Sequence, residues 1–222
     1  MRQFNRELDI TVELPSKIVA MNPFKENPLA LPRADAFYNR FYSDKVERRL
    51  ILGINPGRLG AGETGIPFTD TKRLWECARI GSGQQLTHEP SSAFVYRMIE
   101  AYGGVDSFYN QFLISSICPL GFLMDKNGKR VNYNYYDSPA LMDAVEPFVL
   151  AMMERQLQLP IDCDVVFCLG TGKNFHYLEG LNSEHGWFKQ IVPLEHPRYI
   201  MQYKSRDVEV YIQKYLRAFE SA

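Results

Sequence analysis

Several short polar stretches in this chain begin where an apolar run stops, and each carries a residue type that chemistry uses. The first is Asn55-Pro56-Gly57-Arg58-Leu59-Gly60-Ala61-Gly62-Glu63-Thr64-Gly65-Ile66-Pro67-Phe68. Glycine at that density lets backbone approach a ligand closely, yet neither the phosphate-loop pattern G-x-x-x-x-G-K-[ST] nor a clean G-x-G-x-x-G occurs in it. Asn55 sits at a strand exit, where its short polar side chain either faces the cleft or caps its own turn. The second stretch is Ser115-Ser116-Ile117-Cys118-Pro119-Leu120, and the third is His196-Pro197-Arg198-Tyr199. A lone histidine is more often structural than catalytic, but the position of His196 at a strand exit before a Pro-Arg turn favours a functional role. A further stretch, Gly170-Thr171-Gly172-Lys173-Asn174, reads first as a strand-to-helix turn and second as a phosphate or sugar contact.

The apolar runs before these stretches are what must position them. Residues 49–54, 111–117 and 164–170 are short and bounded by Pro or Gly, which suits buried parallel strands. Residues 189–195 are a weaker fourth strand, because Pro193 cannot donate to a ladder. Helical patterns alternate with them. Residues 91–102 carry Val95, Met98, Ile99 and Tyr102 on one stripe and stop at Gly103-Gly104. Residues 138–158 present Leu141, Val145, Phe148 and Met152, with Pro147 predicted to kink or split the helix. The last helix, through Val208, Tyr211, Ile212, Tyr215, Leu216 and Phe219, follows the helical period most closely.

This alternation predicts an α/β fold, with three α/β/α layers around a central, mostly parallel four-stranded sheet. Ligands then bind beyond the carboxyl ends of the strands, where the polar stretches lie. The 222 residues suffice for one well-buried domain. Residues 1–48 are expected to be an irregular or helical leader packed on it; 14–33, rich in Pro and Asn, read as irregular, with a short helix through Phe37, Tyr38 and Phe41.

A net charge of −1 argues against a broad basic face that coats nucleic acid, but not against a local basic rim gripping one nucleotide. Cys77, Cys118, Cys163 and Cys168 form no C-x-x-C pair, and no two stand at zinc-ligand spacing beside a histidine. They read as buried free thiols, with no metal and no cofactor expected. The N-terminal residues lack the apolar stretch of a signal peptide, and no run is long enough to cross a bilayer. A cytoplasmic protein is expected, and a monomer.

Asn55 to Phe68 resembles the first motif of the single-strand-selective monofunctional uracil-DNA glycosylase family, N-P-G-x-F-G-x-x-x-T-G-V-P-F, departing only at Leu59 and Ile66. His196-Pro197-Arg198-Tyr199-Ile200-Met201-Gln202-Tyr203-Lys204 is similar to the second, H-P-S-P-R-N-x-Q-x-x-K, with two residues fewer between proline and arginine. Cys118-Pro119-Leu120 matches a C-P-L turn, although the Asn that precedes it by two residues in the family is Ser116 here. The likeness runs from about Arg49 to the C-terminus and fits a divergent branch.

The resemblance implies a monofunctional DNA glycosylase of base-excision repair, hydrolysing the N-glycosidic bond of flipped-out uracil in single- or double-stranded DNA. Asn55 would orient the attacking water and His196 would stabilise the departing base anion, without a metal. Gly57, Ala61, Phe68 and Ser116 would form the base pocket. Arg198 and Tyr199, with Ile200 and Met201 as further candidates, would wedge the duplex open. Lys204 and Arg206 would meet phosphates or simply begin a solvated helix. The smaller Ser116 predicts release of xanthine and, more weakly, hypoxanthine as well. The alternative is a non-catalytic nucleic-acid or nucleotide-binding domain that keeps the pocket, though such a domain needs Phe68 and no water-orienting amide.

Overall fold

The computed structural model describes residues 1–81 and 86–221. Its first third holds helix α1 (Arg2–Arg6), strand β1 (Ile18–Met21), helices α2 (Pro23–Glu26) and α3 (Ala30–Phe41), strand β2 (Arg48–Gly53), and helices α4 (Ala61–Thr64) and α5 (Thr71–Ala78). Helices α6 (Pro90–Tyr102) and α7 (Gly104–Gln111) lead into strands β3 (Phe112–Ser116), β4 (Gly121–Lys126) and β5 (Lys129–Tyr133). Helix α8 (Pro139–Leu157), strand β6 (Ile161–Leu169), helix α9 (Lys173–His185), strand β7 (Gln190–Leu194) and helices α10 (Pro197–Tyr203) and α11 (Val208–Glu220) complete the chain.

Four strands form a parallel sheet in the order β3-β2-β6-β7, flanked by helices. The apolar runs of the sequence are its strands, because Leu50, Ile51 and Leu52 at the centre are buried on both faces. Pro193 is tolerated because β7 is an edge strand, where a missing N–H costs no ladder bond on its open side. Strand β6 begins three residues earlier than its apolar pattern, at Ile161. Its polar extension pairs with Arg48 and Arg49, and the register shifts between Arg49 and Leu50. The last helix seats Phe219 on the sheet, its ring 4.6 Å from that of Phe112 and 4.8 Å from that of Phe167.

The structure departs from the sequence expectation in three places. Helix α8 is not split at Pro147 but continues through it to Leu157. Proline removes one bond to the carbonyl of Asp143, but both residues are exposed, so water can serve that carbonyl. Buried Val145, Phe148, Val149 and Met152 hold the helix together on either side. The 14–33 stretch contains β1, α2 and the start of α3. Strand β1 joins β4 and β5 in a second, antiparallel sheet in the order β1-β4-β5. The β4–β5 hairpin turns at Asn127 and Gly128, both with positive φ, the dipeptide such a turn requires. The cysteines also differ: Cys118 and Cys168 are buried, but Cys77 is exposed and Cys163 half-buried.

Candidate active site

Beyond the carboxyl ends of β2 and β3, and beside the start of α10, lies a cavity of about 450 Å³. Asn55, Gly57, Ala61, Phe68, Ser116, His196, Arg198 and Tyr199 all line it. Lys204 does not; it is the C-cap of α10. Ile200 is fully buried, because α10 turns that side toward α6, which removes it from any wedge.

Local chemistry explains why the glycine-rich loop carries Phe68 into this cavity. The buried Thr64 hydroxyl donates to the Thr69 carbonyl at 2.6 Å and accepts the Ile66 N–H at 3.1 Å, pinning the turn before Phe68. Phe68 itself holds φ 53, a left-handed conformation that costs a non-glycine residue about 1–2 kcal/mol. A Cβ at Gly53, the last residue of β2, would stand 2.7 Å from the Phe68 ring, so the strand must end in glycine for the ring to lie across it. The same ring meets His196 in a tilted arrangement, with centroids 5.5 Å apart.

His196 is the N-cap of α10, and its Nδ1 accepts the Arg198 N–H at 3.1 Å. That bond assigns the proton of the neutral ring to Nε2. Burial, assisted by the charge of Arg198, lowers its pKa to about 4, so the ring is a neutral donor at physiological pH.

Asn55 is engaged at both ends of its amide. Its Oδ1 accepts the Tyr135 N–H at 3.1 Å, and its Nδ2 donates to the Tyr133 carbonyl at 3.3 Å. The Tyr135 hydroxyl in turn donates to Asn174 Oδ1 at 2.9 Å, so two strand exits hold the segment after β5. That segment supplies Asn134, Tyr136 and Asp137 to the cavity. Asn174 also donates to the Leu169 carbonyl at 3.1 Å, which makes the Gly170–Asn174 stretch a strand-to-helix turn.

The Ser116 carbonyl accepts from Gln156 Nε2 at 3.3 Å, while no described group hydrogen-bonds the Ser116 hydroxyl. On the rim, α10 places Arg198, Tyr199, Gln202 and Tyr203. Tyr199 and Tyr203 are exposed, with rings 5.5 Å apart.

Sequence reading missed Glu89, Asn132, Asn134, Tyr136, Asp137, Gln202 and Tyr203. The Asn127-Gly128 turn could have placed the β5 residues. Glu89 precedes Pro90 at a helix start, an arrangement that marks a helix and not a site. Its carboxyl lies against the glycine loop: a Cβ at Gly57 would be 2.8 Å from Glu89 Oε1, and one at Gly60 would collide with Oε2. Among the described residues, no group of three or more His, Cys, Asp or Glu side chains could hold a metal ion, and no helix is long and apolar enough to cross a membrane.

The family model of the uracil DNA glycosylase superfamily matches residues 40–220. A search of curated proteins finds no match. Among solved structures, the chain is similar to that titled "The crystal structure of WT Pedobacter heparinus SMUG2", with 52% identity and a TM-score of 0.96, over 99% of this chain and 95% of that one. A parallel sheet whose strand exits carry the Asn55 and His196 motifs into one cavity accords with both findings: the chain belongs to the uracil DNA glycosylase superfamily.

Proposed function

We propose that this DNA glycosylase excises uracil by hydrolysis assisted by a preorganised pocket, without a metal. The observation that carries the reading is the neutral His196 ring, with its proton on Nε2, in one cavity with Phe68 and Asn55.

Cleavage of the N-glycosidic bond leaves a base anion and an oxocarbenium-like sugar. His196 Nε2–H donates to the base O2 as charge develops there, stabilising the transition state more than the ground state. Phe68 stacks on the flipped base. Gly57 and Ala61 bring backbone against its C5 edge and exclude a methyl group, and Ser116 faces its polar edge. Asn55 orients the attacking water through the remaining lone pair of Oδ1 and contributes by positioning. Flipping costs a few kcal/mol; Arg198 and Tyr199 on the rim offset this by filling the gap in the stack, and Lys204, a turn further on, meets a phosphate.

The protein works as one domain with residues 1–48 packed on it, as a monomer in the cytoplasm.

Incubation with oligonucleotides that carry one uracil, followed by alkaline cleavage of abasic sites, tests the activity. Strand scission at uracil, undiminished by EDTA and absent from a thymine control, is expected. Binding without scission would favour a binding domain instead.

A further inference from the structure

The reaction of Asn55 and His196 leaves one proton without a destination. When water bonds to C1′ it must release a proton, and an amide cannot take it. Of the other polar groups around the cavity, the His196 Nδ1 is occupied by the Arg198 N–H. Asp137 is exposed to solvent and accepts the Asn134 N–H at 2.8 Å and its Nδ2 at 3.3 Å, which hold it to its own turn. The Tyr136 phenol is pushed up to about 12, chiefly by burial, so it is protonated and not a base. Ser116, Asn132 and Asn134 have no useful basicity.

Glu89 is different. Its backbone N–H donates to the buried Asp70 carboxylate at 2.7 Å, which fixes the residue at the start of α6. It is the N-cap of that helix, and its side chain makes no cap bond. It turns instead into the cavity, against Gly57, two residues from Asn55. Among the described residues nothing hydrogen-bonds its carboxyl.

Resting on the uracil-excision reading above, we propose that Glu89 is a further catalytic residue, the general base that accepts the proton of the attacking water. The C1′–N1 bond breaks, its electron pair leaving on the base as an anion. The water oxygen bonds to C1′, and the water proton moves to the Glu89 carboxylate and then to solvent. The residue acts as the carboxylate.

Its surroundings set its proton affinity near the working pH. Burial, and next the negative Asp70, raise it to about 7, against a lowering by Arg198. Asp70 is itself paired with Arg73 at 2.9 Å, and Arg73 reaches His88 at 2.6 Å. The loop brings Arg58, whose guanidinium donates to the Arg130 carbonyl at 3.3 Å, and Asp137 lines the same cavity. A base poised near neutrality is the efficient kind.

Single-turnover excision from a single-stranded uracil oligonucleotide between pH 5.5 and 9 tests this. The wild-type rate is expected to rise about tenfold per pH unit below roughly 7 and to level off above it. Glu89→Gln, which retains shape and glycine contacts, should lose on the order of 10²-fold at pH 8 and lose the rising limb. Its affinity for the oligonucleotide should stay within a few-fold. Glu89→Asp should keep the limb at reduced rate. A flat wild-type profile overturns the proposal, as does a Glu89→Gln enzyme with near wild-type rate or an unchanged limb. The wild-type profile decides even where a variant fails to fold. A wild type that releases no uracil at any pH sinks the excision reading, a distinct result.

Discussion

His196 Nδ1 accepts the backbone N–H of Arg198 at 3.1 Å, so one contact caps a helix and fixes a tautomer. The two duties can be separated. Asn at position 196 would still accept the Arg198 N–H as an N-cap but would not reach into the cavity. His196→Asn is therefore expected to retain the wild-type Tm within a few degrees while losing on the order of 10²-fold in single-turnover excision. Near wild-type rates would reduce His196 to a cap.

The same residue has a pH signature. Its folded pKa, about 4, lies below the ordinary 6.5, so the unfolded chain binds the proton more readily between those values. The contribution of this group to stability is whole above about pH 6.5 and is lost as pH falls toward 4. Titration followed by the ring signals in NMR should find His196 neutral throughout pH 5.5–9. A midpoint above 6 would remove the neutral donor from the mechanism.

Asn55 holds the segment after β5 as well as facing the cavity, so its substitution has two consequences. Asn55→Ala frees the Tyr135 N–H and the Tyr133 carbonyl, a cost of about 1–3 kcal/mol wherever water does not replace the amide. Turnover should fall on the order of 10²-fold, with affinity for uracil-containing DNA much less affected. Denaturation together with single-turnover assays separates the effects. A stability loss with turnover unchanged would leave Asn55 a loop clamp.

The strands and principal helices were legible because burial on both sheet faces selects continuous apolar runs such as Leu50–Leu52, and a packed helix repeats its apolar stripe, as in α11. The motif residues were legible because strand exits bring Asn55, Ser116 and His196 together in any sheet of this kind. Glu89 was not. It reaches the cavity through its bond to Asp70 and the room left by Gly57 and Gly60, relations between distant parts of the chain. Strand β1 was hidden among prolines and asparagines because it pairs only with β4, and local propensity is a weak guide to pairing.

Arg198 and Tyr199 stand at the rim of the cavity, both exposed. A wedge matters only when a base must be taken out of a stack. Arg198→Ala and Tyr199→Ala should slow excision from paired duplex more than from single strands, with an intermediate loss at mismatches, where flipping is cheaper. An equal loss on all three substrates would indicate a phosphate contact instead.

Ser116 ends β3 with its hydroxyl free of described partners, at a position where the resembling family carries an amide. An amide can accept from the base N3–H and donate to O4 together, whereas one hydroxyl cannot satisfy both. A bridging water completes the edge, and the shorter side chain leaves space behind it. Xanthine presents the same pattern of donors and acceptors as uracil on a larger ring system. The wild type should therefore release xanthine as well as uracil, and hypoxanthine more weakly. Ser116→Asn should raise the uracil-to-xanthine ratio by filling that space and reading the edge directly. Ser116→Ala should lose less than the ~10²-fold typical of a missing preorganised donor, because water already shares the contact. Matched oligonucleotides differing only in the target base provide the measurement. A uracil-to-xanthine ratio unmoved by Ser116→Asn would assign the reading of the base to backbone groups near Phe68 and Cys118, with Ser116 a small filler.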